Sequence, residues 1–118
     1  ERQLASVGLL DQADRLAGEL PYGSQRLLEI SMGMALKPSL LILDEPTQGL
    51  AVSDIGPFCD LVRETARSTT ILFIEHNLPV VLDLAHRVTV MDQGAILAEG
   101  TPAEIEQHPL VQRAYLGD

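Results

Sequence analysis

The sequence predicts an α/β fold with parallel strands, flanking helices and a C-terminal β-hairpin. Three observations carry that expectation. Two short apolar runs, Leu40–Leu43 and Thr69–Ile74, are each closed by acidic residues, Asp44-Glu45 and Glu75. Stretches with apolar residues at helical spacing separate them, so helix and strand alternate along the chain. A turn sequence, Asp92-Gln93-Gly94, joins the last two strand-like runs.

Each element follows from local chemistry. Residues 1–19 set Leu4, Val7, Leu10, Ala13 and Leu16 at helical spacing, and Leu20 to Ser24 is a loop punctuated by Pro21 and Gly23. Gln25 to Leu36 reads as a helix through Leu27, Leu28, Ile30, Met34 and Ala35. Lys37-Pro38 ends it, because the residue before proline avoids the helical region. Leu40–Leu43 reads as a strand buried on both faces. Asp54 to Arg67 is a second helical stripe (Ile55, Phe58, Leu61, Val62, Thr65), and Thr69–Ile74 a second buried strand. Asn77 caps the following helix, with Pro79 in its first turn and an end near His86. Arg87–Met91 is a third strand and Ala95–Glu99 its hairpin mate. After Gly100, Thr101-Pro102-Ala103-Glu104 is a capping box, and a last short helix covers about 110–116. Parallel crossovers are expected to be right-handed.

With 118 residues, 46% of them apolar, the chain has enough apolar surface to bury a core and is not disordered. Eight basic against seventeen acidic side chains leave a net charge of −9, which argues against a nucleic-acid partner. No apolar run approaches the ~20 residues that span a bilayer. The opening Glu1-Arg2-Gln3-Leu4 is neither a basic leader nor an initiator methionine, so an intracellular location and a piece of a longer protein are expected. Cys59 is the single cysteine, which excludes an internal disulfide; its neighbours Phe58, Leu61 and Val62 predict a buried helix thiol.

Open parallel sheets bind ligands beyond the carboxyl ends of their strands. Asp44-Glu45 and Glu75-His76 both fall at such ends, and paired strands lie only ~4.8 Å apart. Two carboxylates and an imidazole there suit metal binding and water activation. An acidic pair after a strand serves equally as a turn or helix cap, and a single histidine is more often structural. Their shared edge, with Pro46 fixing the chain's exit, points to a site. His86, at a helix end, and His108, before Pro109, read as structural, and spacings of 10 and 22 argue against a three-histidine metal site. Asp44 as the phosphate acceptor of a receiver-like domain would call for a lysine at a later strand end, and none exists.

The run resembles the C-terminal portion of an ATP-binding cassette (ABC) ATPase, a P-loop NTPase fold. Leu40 to Glu45 is similar to the Walker B strand. Leu20-Pro21-Tyr22-Gly23-Ser24-Gln25 stands where the signature Leu-Ser-Gly-Gly-Gln belongs, Thr47 to Ala51 resembles the D-loop, and Ile74-Glu75-His76-Asn77 the switch histidine. Tyr22 to Ile30, Glu75 to Leu78, Ala98 to Pro102 and Pro109 to Gly117 resemble the cassettes of branched-chain amino-acid importers; urea and short-amide importers share most of these features.

By that resemblance, residues 1–38 end a helical subdomain, 39–100 are the C-terminal part of the ATPase core, and 101–118 a helical tail. Asp44 would hold Mg²⁺ through a water, Glu45 would orient and polarise the attacking water, and His76 would contact the γ-phosphate of ATP. The helix start at Gly23, Ser24 and Gln25 would offer free N–H groups to the nucleotide of a second ATPase subunit, and Gly49, Leu50 and Ala51 would form the D-loop. The resemblance further implies transmembrane permease partners and a peripheral place on the cytoplasmic side of the inner or plasma membrane.

The phosphate-binding loop Gly-x-x-x-x-Gly-Lys-Ser/Thr is absent; Lys37, the single lysine, precedes a proline. The complete ATPase is thus expected to hydrolyse ATP and these residues alone to be inactive, the alternative being a nucleotide-incompetent module that supplies only a signature face or dimer surface. The family's phosphate-loop strand would fall between strand 70–75 and strand 87–92. Pro21 replaces the signature serine, Tyr22 its first glycine, Ser24 its glutamine, Ala51 the D-loop aspartate, and Met32 a frequent arginine.

Overall fold

The computed structural model describes residues 1–116 and divides into two compact units, Glu1–Ile74 and the residues from Glu75 on.

In the first unit the expected N-terminal helix is interrupted. Helix α1 spans only Arg2–Ser6, and two 3-10 turns follow at Leu10–Gln12 and Ala17–Glu19. Gly8, at φ 70°, turns the chain left-handed and breaks the spacing. Helix α2, Tyr22–Ala35, begins three residues earlier than its apolar stripe predicts, because Pro21 (φ −55°) occupies the N-cap and launches the helix directly. It closes through Lys37 in the left-handed region (φ 51°), whose N–H reaches Met34 O at 2.9 Å.

Strands β1 (Leu40–Asp44) and β2 (Thr70–Ile74) pair in parallel with Leu40 opposite Thr70 and Asp44 opposite Ile74. Helix α3, Val52–Thr65, crosses between them. It carries Phe58, Cys59, Leu61 and Val62 into the core, so the thiol is a packing group as expected. Thr65 Oγ1 lies 3.0 Å from Met34 Sδ, joining α3 to α2. Neither strand is buried on both faces. Leu41, Leu43, Ile71 and Phe73 are half-buried, whereas Leu40, Ile42, Leu72 and Ile74 are 49–59% exposed. Strands alternate sides residue by residue, so one face of this pair packs and the other stays open.

The second unit starts with α4, Leu78–Leu84, capped by Asn77 Oδ1 accepting from Val80 N at 3.4 Å. Strands β3 (Val88–Asp92) and β4 (Ala95–Gly100) form the expected antiparallel hairpin, with a register irregularity between Val90 and Met91. Gln93 (φ 47°) and Gly94 (φ 80°) make its two-residue turn, which needs left-handed backbone at both positions. The capping box is present in α5, Pro102–Glu106, where Thr101 N donates to Glu104 Oε2 at 2.8 Å. The expected last helix is instead a short α6, Pro109–Val111, running into a wide π-type turn at Gln112–Leu116. Val88, Val90, Ala98, Ile105 and Val111 form the core here. His108 is structural: its Nδ1 accepts from Leu110 N at 3.3 Å. The two strand pairs are separate sheets. Gly117, the last residue of the tail motif, lies outside the described residues.

Candidate functional site

Asp44 ends β1 with its side chain exposed, and Glu45 follows half-buried. Glu45 has φ 45°, a left-handed conformation that costs a non-glycine residue about 1–3 kcal/mol when fully strained. Two hydrogen bonds hold it there. Glu45 N donates to Ile74 O at 2.8 Å, tying it to the end of β2, and Glu45 O accepts from Gln48 N at 3.1 Å. The carboxyl ends of the two strands are therefore fixed side by side. Pro46 and Thr47 are buried behind this turn, and Leu50 N donates to Thr47 O at 3.1 Å. Gly49 follows at φ 77°, and Ala51, exposed and extended, is the N-cap of α3.

The signature-like residues sit in the first turn of α2. Gln25 is corrected by the structure: its N–H donates to Pro21 O at 3.0 Å and is consumed by the helix, and its Nε2 donates to Leu20 O at 2.9 Å. The free ends of the helix are the N–H groups ahead of it, at Tyr22, Gly23 and Ser24. Gly23 is buried, and a Cβ there would run into the Asp54 carboxylate of α3.

Sequence reasoning missed the side chains that join these two segments. Tyr22 Oη donates to Gln48 O at 3.2 Å and accepts from Arg26 Nε at 3.1 Å. Arg26 also pairs with Glu29 at 3.1 Å. Burial alone would lower the Arg26 pKa, but the hydrogen bonds to Glu29 and Tyr22 outweigh it and raise the value above the ordinary arginine range. The one signal in the sequence is a tyrosine where the family pattern has glycine.

A depression of about 270 Å³ lies between α2 and β1, with Arg26, Glu29 and Asp44 on its walls, at the small end of the ~300–1,000 Å³ usual for small-molecule sites. No group of three potential metal ligands exists among the described residues. Magnesium needs none, since it is held by one or two carboxylates with waters and substrate phosphates; an exposed Asp44 at a strand end fits that role. His76 is exposed and follows Ile74 by two residues, in the second unit. No described helix is long and apolar enough to cross a membrane.

A family model described as ABC transporter matches residues 1–48, and one described as Branched-chain amino acid ATP-binding cassette transporter matches residues 95–118. The chain is 44% identical over 117 residues to the high-affinity branched-chain amino acid transport ATP-binding protein LivG of Salmonella typhimurium, covering 98% of this chain and 46% of that protein. To BraF of Pseudomonas aeruginosa, described in the same words, it is 40% identical over the same shares. Among solved structures, the ADP conformation of an ATP-binding cassette of an ABC transporter superposes with a TM-score of 0.85 at 31% identity, over 99% of this chain and 48% of that one. The chain thus spans about half the length of the relatives it matches.

Proposed function

Since this chain belongs to the ATP-binding cassette transporter ATPases, we propose that it supplies the water-activating and signature-bearing part of an ATPase that powers import of branched-chain amino acids. The observation that carries the reading is the strand-end geometry: an acidic pair whose second member is held left-handed and bonded to the neighbouring strand. Fixed carboxylates suit phosphoryl transfer, which asks for positioning and charge neutralisation more than covalent chemistry.

In this proposal Asp44 holds Mg²⁺ through a water, and Glu45 orients and polarises the attacking water. His76 contacts the γ-phosphate. The first turn of α2, at Gly23 and Ser24, addresses the ATP of a second ATPase subunit, beside Gly49, Leu50 and Ala51 of the D-loop. When bound, magnesium neutralises charge on the phosphate oxygens. Residues 1–38, 39–100 and 101–118 serve as helical-subdomain end, core portion and tail. Permease subunits anchor the complex at the cytoplasmic face of the membrane. Exchanging Glu45→Gln in the intact protein is expected to cut ATP turnover about 100-fold or more while Mg-ATP binding persists; unchanged turnover would remove Glu45 from the role.

One observation favours a second reading. The sequence has no Gly-Lys pair, and Lys37 sits beyond the end of α2 before Pro38. These 118 residues alone would then act as a nucleotide-incompetent module offering a signature face or a dimer surface. Titrating them with Mg-ATP tests this second reading, which tight, saturable binding excludes.

A further inference from the structure

We propose that Tyr22 and Arg26 are positioning residues that hold the 46–51 loop, and through it Glu45, against the first turn of α2; the link to turnover rests on the function proposed above. Tyr22 Oη is used twice. It donates its proton to Gln48 O at 3.2 Å and accepts from Arg26 Nε at 3.1 Å. A phenol has one proton to give, so the arginine donor leaves that proton free to point at the loop. Arg26 is set for this by two further contacts, its guanidinium 5.7 Å from the Tyr22 ring centre and its Nη1 3.1 Å from Glu29 Oε2.

The peptide reached by Tyr22 is well chosen. Gln48 accepts from Tyr22 through its carbonyl and donates through its N–H to Glu45 O at 3.1 Å. One residue therefore bridges the strained carboxylate position to the signature-like helix, 26 positions apart from Tyr22 in sequence. Gly49 leaves room for the ring: a Cβ there would stand 3.1 Å from Tyr22 Cε1, besides being disfavoured at φ 77°. On the other side of Tyr22, Gly23 abuts Asp54 at the start of α3. The first turn of α2 is thus clamped between the loop and α3, and loosening Tyr22 releases the loop alone.

The test uses Tyr22→Phe, which keeps the ring and removes both Oη bonds, in the intact protein. Amide exchange without nucleotide reads the coupling directly, so it does not depend on what the protein hydrolyses. Gln48 and Leu50 amides are expected to exchange about tenfold faster, as one lost hydrogen bond implies, while β1, β2 and α3 amides keep wild-type rates. Arg26→Gln gives a smaller rise, and adding it to Tyr22→Phe gives no further one, because both act through the same oxygen. In turnover, Tyr22→Phe lowers kcat several-fold and leaves KM for Mg-ATP unchanged. Unaltered exchange at Gln48 and Leu50 overturns the coupling, and so does a rise spread equally over β1, β2 and α3. A loosened loop with wild-type kcat overturns its link to turnover, whereas failure of the ATPase reading itself shows only in the Glu45→Gln experiment.

Discussion

The two strand pairs solve the same burial problem differently. The β3–β4 hairpin closes its apolar side with its own downstream residues: Ile105 of α5 and Val111 of α6 are 1% and 0% exposed over Val88, Val90 and Ala98. The β1–β2 pair half-buries one side, with α2 close to Leu41, and leaves Leu40, Ile42, Leu72 and Ile74 about half exposed on the other. The hairpin unit spends its sequence on closure. The parallel pair devotes its strand ends to a pinned acidic turn and leaves apolar surface uncovered. Residues at the ends of the parallel strands answer to placement, and residues in the hairpin answer to packing.

Substitutions can sharpen that contrast, and the largest effect belongs to the closed core. Ile105→Ala is expected to cost about 2–5 kcal/mol, read as a loss of unfolding midpoint in urea; a loss under about 1 kcal/mol would mean the hairpin is not closed by α5. Gly23→Ala comes next at about 1–3 kcal/mol, since its methyl meets the Asp54 carboxylate. Combining it with Asp54→Ala should recover most of that loss, and failure to do so would place the conflict elsewhere. Thr101→Ala removes the cap on α5 and should cost about 1 kcal/mol, measurable in the same denaturation curves. Ile42→Thr, on the open face, keeps strand preference and should stay within about 0.5 kcal/mol; a loss as large as that of Ile105→Ala would show the face to be covered.

What could be read from the sequence was what short-range chemistry encodes. Asn77 and Thr101-Glu104 announce their caps because a cap is made within three residues. The hairpin turn is likewise local, as is the closing of β1 by Asp44-Glu45. Three things stayed hidden. Gly8 broke a helix whose apolar spacing continued past it, since spacing reports faces and not backbone sign. The burial of β1 and β2 was overestimated, because an unbroken apolar run shows affinity for cover without showing that cover is present. Glu45's left-handed backbone and the Tyr22–Gln48 bond depend on tertiary contacts, the latter across 26 residues, which no local pattern carries.

In the proposed function the acidic turn and the histidine after β2 serve one phosphate. The direct measurement is a crystal structure of the intact protein with Mg²⁺ and a non-hydrolysable ATP analogue. Asp44 is expected on the magnesium's water shell, with Glu45 and His76 both facing the terminal phosphate. An imidazole on the far side of the nucleotide from that carboxylate pair would contradict it.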